Sequence, residues 1–169
     1  MNFELKPISA DAVPEALQKV ERYRLLNEPA EAQSICEDVL RIEPDNQAAL
    51  VMLILTITDQ FGAGASAGEA RELIPRLDTE YQRAYCSGII CERSAKVLMH
   101  KGIPGANFKA YEELEAAMHW FERAEQLRPP ENDDAILRWN RCVRLLQSRA
   151  GAEWGKEMEH FDASEGPPV

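Results

Sequence analysis

Apolar residues in this chain recur at the spacing of a helix, and the period-two alternation of a half-buried strand is scarce. The clearest instance is Ala32, Ile35, Cys36, Val39 and Leu40, at successive steps of three, one, three and one. That spacing gathers the apolar side chains into one stripe along a helix. The helix is predicted to start at about Pro29, after the break at Asn27-Glu28, and to run to Ile42. Pro44 stops it, because the residue before a proline is pushed out of the α region.

The same reasoning predicts about seven helices and an all-α fold. The first is expected from about Val13 to Leu26, with Asp11 as N-cap and Pro14 in the first turn, where a missing N–H does no harm. The third is expected over Asn46 to Gln60, capped by Asp45 or Asn46. It is apolar nearly all round, so it should be covered on more than one side. Phe61 to Gly68 reads as a flexible loop of small residues. A short helix over Glu69 to Asp78 should be bent or cut short by Pro75. A long helix is expected from Thr79 to His100, a loop from Lys101 to Asn107, and a helix from Tyr111 to Leu127 that stops before Pro129-Pro130. The last helix should span Asn132 to Arg149. Residues 1–12 then form an N-terminal extension, 13–149 the helical domain and 150–169 an acidic tail.

At 169 residues the chain can bury a core as one domain, and 45% hydrophobic against 28% charged residues argues against global disorder. A net charge of -10 argues against nonspecific attachment to nucleic acid or an anionic membrane. The longest apolar run, Ala48 to Ile57, falls far short of the ~20 residues that cross a bilayer. The opening Met-Asn-Phe-Glu-Leu-Lys-Pro has no basic segment leading into an apolar one, so a cytoplasmic location is expected. Cys36, Cys86, Cys91 and Cys142 form no Cys-x-x-Cys pair, and Cys86 and Cys91 fall on different helix faces. They are expected to be free thiols serving as small core residues, with no metal and no cofactor.

Two segments share one pattern when aligned on their prolines: Glu31-Ala-Gln-Ser-Ile-Cys-Glu-Asp-Val-Leu-Arg-Ile-Glu-Pro44 and Ala116-Ala-Met-His-Trp-Phe-Glu-Arg-Ala-Glu-Gln-Leu-Arg-Pro129. Ala32 matches Ala117, Cys36 matches Phe121, and Val39 matches Ala124. A small residue, a larger one four on, a small one three on and a proline five on resembles the second helix of a tetratricopeptide repeat. Val20 and Tyr23, Ile54 and Ile57, and Gly88 and Cys91 take the matching places on the first helices. The resemblance covers about Val13 to Leu146 and is that of a short, divergent, bacterial-type member. It departs from the family in the Gly-Ala loop, the short Glu69 helix and the inserted Lys101 loop. It implies an antiparallel helix-hairpin solenoid whose last helix, Asn132 to Arg149, caps the array.

No His-Glu-x-x-His, Gly-x-Ser-x-Gly or phosphate-loop pattern occurs, and His100, His119 and His160 are scattered, so catalysis is not expected. The carboxylates are expected on exposed helix faces. The resemblance implies a concave groove lined by first helices. By register it shows Leu17, Glu21 and Arg24, then Val51, Leu55 and Thr58, then Tyr85, Ile89, Glu92 and Arg93, and last Ile136, Asn140 and Arg144. Val51, Leu55 and Ile89 admit a second reading, as core buried by the twist of a short array. The expected function is a non-catalytic protein–protein interaction module or scaffold that holds a peptide or partner helix. The alternative is a structural or assembly subunit that self-associates, as a homodimer, through a terminal repeat. A redox protein built on Cys86 and Cys91 is a third class. The lysine and asparagine that grip carboxylate tails in some family members are replaced here by Leu17 and Glu21. In the tail, Trp154, Met158 and Phe161 share helical spacing, as do Glu153 and Glu157. That pattern suits a short segment docked on the last helix or in the groove, or else a solubilising end.

Overall fold

The computed structural model describes residues 3–101 and 104–149, and these are all-helical. Seven α-helices occur among them: α1 (Val13–Leu25), α2 (Pro29–Ile42), α3 (Gln47–Asp59), α4 (Ala67–Leu73), α5 (Glu80–Lys101), α6 (Ala106–Leu127) and α7 (Asp134–Arg149). One-turn 3₁₀ helices precede α1 (Ala10–Ala12) and follow α4 (Ile74–Arg76). No strand is present among the described residues; the one bridge joins Phe61 to Ala65 and closes the glycine loop. The expectations for residues 150–169 lie outside the described residues. The chain divides into two compact units, Met1–Cys86 and Ser87–Val169, and the division falls inside α5.

In the first unit, α1 packs on α2, α2 on α3, and α1 on α3. The polar ties fix the directions. Gln60, after the end of α3, donates to Gln33 near the start of α2 at 2.6 Å, so these helices run antiparallel. Arg24 and Asp59 meet at 2.8 Å near the C-terminal ends of α1 and α3, so those two run the same way. Val13 of α1, Val39 of α2 and Ala49 of α3 form a buried cluster at the opposite end. The α3 helix adds Leu50, Leu53, Ile54 and Ile57 to the interior, as its all-round apolar sequence predicts. It starts at a true cap: the Asn46 side chain accepts from the Ala49 N–H at 2.9 Å, satisfying a first-turn donor that the helix cannot.

Asp11 does not cap α1. The chain enters through the 3₁₀ turn at Ala10–Ala12, and Ala12 stands at the N-cap with no side-chain hydrogen bond. Pro75 ends α4 earlier than expected by converting its last turn to 3₁₀.

In the second unit, α6 begins at Ala106, ahead of the expected Tyr111, so Asn107 is helical rather than loop. The reason is packing: Ala106, Ala110, Leu114, Ala117, Phe121 and Ala124 form one buried stripe. The first two are small enough to be overlooked as hydrophobic anchors. The residue ahead of the helix, Gly105, has φ 75°, a conformation that glycine adopts without strain. Gly88 of α5 lies under the Phe121 ring; a Cβ there would stand 2.5 Å from Phe121 Cε1. The α7 helix packs on α6 and buries Ala135 and Cys142.

Candidate functional site

The groove residues fall into the two units separately. In the first, Leu17 is partly buried against the Val13–Val39–Ala49 cluster, and Glu21, one turn on, is exposed. Arg24 is held by Asp59, which fixes the guanidinium on the α1–α3 side. On α3, Val51 and Leu55 are four residues apart, share a face and are half-buried. Thr58 is buried, and its hydroxyl donates to the Leu55 carbonyl at 2.8 Å. It therefore offers nothing to a ligand. Tyr85 is half-buried and stacked on Tyr81 with ring centroids 5.8 Å apart.

In the second unit, Ile89 is core, as the alternative reading of that residue has it. Arg93, Ile136 and Asn140 are half-buried, and Arg144 is exposed. The α1–α3 face is thus the part of the expected lining that gathers on adjacent helices: a half-exposed apolar strip beside one free carboxylate and one fixed guanidinium. It can bury apolar side chains and orient a charged neighbour.

Glu92 is a correction. Expected at the surface with the other carboxylates, it is completely buried. It is paired with Lys96 one turn on and accepts from Arg138 of α7 at 3.2 Å. Ile89, Ile90 and Cys91 before it and Ala95 three residues on are all buried, and residues three apart share a helix face, so that register is the signal that it points inward. A buried carboxylate requires such partners, because desolvation of an unpaired one costs several kcal/mol.

The four cysteines are buried free thiols. Burial pushes the thiols of Cys36, Cys86 and Cys142 up to about 12, against a usual value of 9.0. At neutral pH these three are protonated, the form that is inert as nucleophile and as metal ligand. Among the described residues, no three His, Cys, Asp or Glu side chains converge as metal ligands would. No described helix is long and apolar enough to cross a membrane. His119 is exposed beside Trp120, with ring centroids 6.1 Å apart. No protein-family model matches the chain, and comparisons with curated proteins and with solved structures find no match either.

Proposed function

We propose that this chain is a non-catalytic protein-interaction module, a short tetratricopeptide-like array that holds a peptide or partner helix against the α1–α3 face. The observation that carries the reading is the α3 strip. Val51 and Leu55 stay half-buried, with Met52 between them also half-buried and Ala48 exposed, on a helix whose Leu50, Leu53, Ile54 and Ile57 are buried, and Leu17, Glu21 and Arg24 stand on the neighbouring α1. Affinity would come from apolar burial at roughly 25 cal/mol per Å², with Glu21 and Arg24 setting the register of the bound segment. The repeat register is supported by Ala32 and Ala117, which are fully buried where close helix contact is expected, and by Gly88 beneath Phe121.

The test compares the proteins captured from cell extract by the wild-type chain, by Val51→Glu/Leu55→Glu and by Glu21→Arg. Circular dichroism reports whether each variant keeps its fold. A partner held by the wild type and lost by folded variants supports the reading. An identical captured set from all three overturns it. Self-association is favoured by a different observation: Leu25 and Leu26, 88% and 60% exposed, adjoin at the α1–α2 turn. A dimer in sedimentation that Leu25→Ser/Leu26→Ser dissolves would establish that alternative.

A further inference from the structure

The chain between α6 and α7 reverses on a residue poorly suited to the task. Six residues, Arg128 to Asp133, join the two helices. Arg128 is extended, with ψ 144°. The Asn132 N–H then donates to the Pro129 carbonyl at 3.2 Å and closes a turn in which Pro130 is second and Glu131 third. Glu131 has φ 64°. Proline second and positive φ third is the pattern of a type II turn, whose third place suits glycine or asparagine because a larger side chain crowds the backbone there. A clasp holds the turn shut: the Arg128 guanidinium donates to Asp133 at 2.6 Å, with side chains 34% and 66% exposed. Beyond the turn, α7 lies on α6. Of its described residues Ala135 and Cys142 are buried, and Trp139, Leu145 and Leu146 are half-buried. Arg138 reaches the buried carboxylate of Glu92 on α5 at 3.2 Å.

We propose that α7 exchanges between two copies of this chain: the turn at Pro129–Asn132 opens, and each α7 takes the place of its counterpart on the other copy's α6. Opening returns Glu131 to the extended backbone that glutamate adopts without strain. The connection then reaches about 20 Å, enough to carry α7 across to a neighbour. Each α7 re-forms the contact it left, with Arg138 on Glu92 of the other copy. The occupant is a second copy because the vacated place asks for an arginine opposite a buried carboxylate and for small residues at the positions of Ala135 and Cys142. Exchange is reciprocal, since a copy left without α7 would hold Glu92 without its arginine. No contact outside the hinge has to be invented, so the closed and exchanged forms differ chiefly in the hinge and in the entropy of association. The exchange is independent of the α1–α3 face and of Leu25 and Leu26.

The full chain is refolded from urea at low and at high protein concentration, diluted to one concentration and sized by chromatography with light scattering. The expected result is a dimer whose share rises with concentration during refolding. It should persist after dilution in the cold, because its separation requires α7 to come away. Arg128→Ala removes the clasp and should raise the dimer share several-fold. Glu131→Gly relieves the turn and should lower it several-fold, both with unchanged helical circular dichroism. Spin labels identify the exchanged element: Glu122 of α6 and Leu137 of α7 are exposed, and the four native cysteines are buried. Glu122→Cys/Leu137→Cys in one monomeric chain gives a reference distance. The same two substitutions on separate chains, refolded together, should give that distance between chains. A chain that stays monomeric at every refolding concentration, Arg128→Ala included, overturns the proposal. A dimer that re-equilibrates at once on dilution, that Leu25→Ser/Leu26→Ser abolishes, or whose separate labels give another distance overturns it too, since the copies would then meet through their surfaces.

Discussion

In the first unit the interior is largely aliphatic and the polar ties between helices α1, α2 and α3 sit near helix ends. Leu50, Leu53, Ile54 and Ile57 of α3, Val20 of α1 and Val39 of α2 are all buried, while Arg24, Asp59, Gln33 and Gln60 tie the ends together. In the second unit Ile89, Ile90 and Leu114 share the interior with six buried alanines from Ala95 to Ala135 and one aromatic ring seated on a glycine, with a carboxylate at 0% exposure among them. The first arrangement depends on area removed from water and forgives shape. The second depends on fit and on charge balance, where a single missing partner has no substitute. The two units should therefore respond differently to change, and that difference can be attacked directly.

The largest effect should come from stripping Glu92 of its partners. Lys96→Met/Arg138→Met leaves a buried carboxylate uncompensated and should cost about 3–5 kcal/mol in urea unfolding. Adding Glu92→Leu should return most of that loss, because a buried ion cluster replaced by apolar groups is often neutral or stabilising. A double variant close to wild type would mean that water reaches Glu92, and the contrast between the units would fail. Next in size is Gly88→Ala. The new methyl meets the Phe121 ring at 2.5 Å, and the ring, fully buried, has nowhere to go. A cost of about 1–3 kcal/mol is expected, recovered in part by Phe121→Leu. Leu53→Met in the first unit, a swap of similar volume, should cost less than about 1.5 kcal/mol by the same measurement. If the two substitutions cost the same, the aliphatic core is as demanding as the Gly88 contact.

The contrast also explains what the sequence made legible. The α2 helix was readable to its ends, because Pro29 and Pro44 punctuate it and its stripe uses large residues. The start of α6 was not, because its stripe opens on Ala106 and Ala110, which register weakly as hydrophobic anchors although both are buried. Asp11 looked like a cap by composition, yet capping depends on backbone dihedrals that the preceding 3₁₀ turn alters. Thr58 and Ile89 had the right register for a lining and are inside, since register gives a face but not what covers it. Glu92 was misplaced for a related reason: a carboxylate is read as solvated unless its partners are known, and Arg138 is 46 residues away. The division of the chain within α5 has no punctuation in the sequence, because one unbroken helix carries it.

A smaller effect belongs to Asn46. Its side chain caps α3 and donates to Glu43 at 2.6 Å, so Asn46→Ala removes both bonds at the entrance to the most apolar helix. The expected cost is about 0.5–2 kcal/mol, read as a fall in melting temperature, and Asn46→Asp should retain most of the cap. If Asp fails as badly as Ala, the bond to Glu43 rather than the cap is what matters, because a carboxylate there would repel it.

The smallest effect sharpens the comparison most. Arg24 and Asp59 form the first unit's counterpart to the Glu92 cluster, with side chains 22% and 19% exposed at a helix end that water reaches. A double-mutant cycle of Arg24→Met and Asp59→Asn should give a coupling of about 0.2–1 kcal/mol that shrinks as salt is raised. The same cycle on Arg138 and Glu92 should give a larger coupling that salt barely changes, because Glu92 is shielded from counterions by the protein around it. Both pairs join an arginine to a carboxylate across two helices at hydrogen-bonding distance; they differ in the burial of the carboxylate and in Lys96, which also holds Glu92, so the second cycle is run in a Lys96→Met background as well. Equal couplings with equal salt dependence would mean that the interior position of Glu92 adds nothing. Unequal couplings, with salt acting on Arg24 alone, would trace the difference between the pairs to the burial of Glu92.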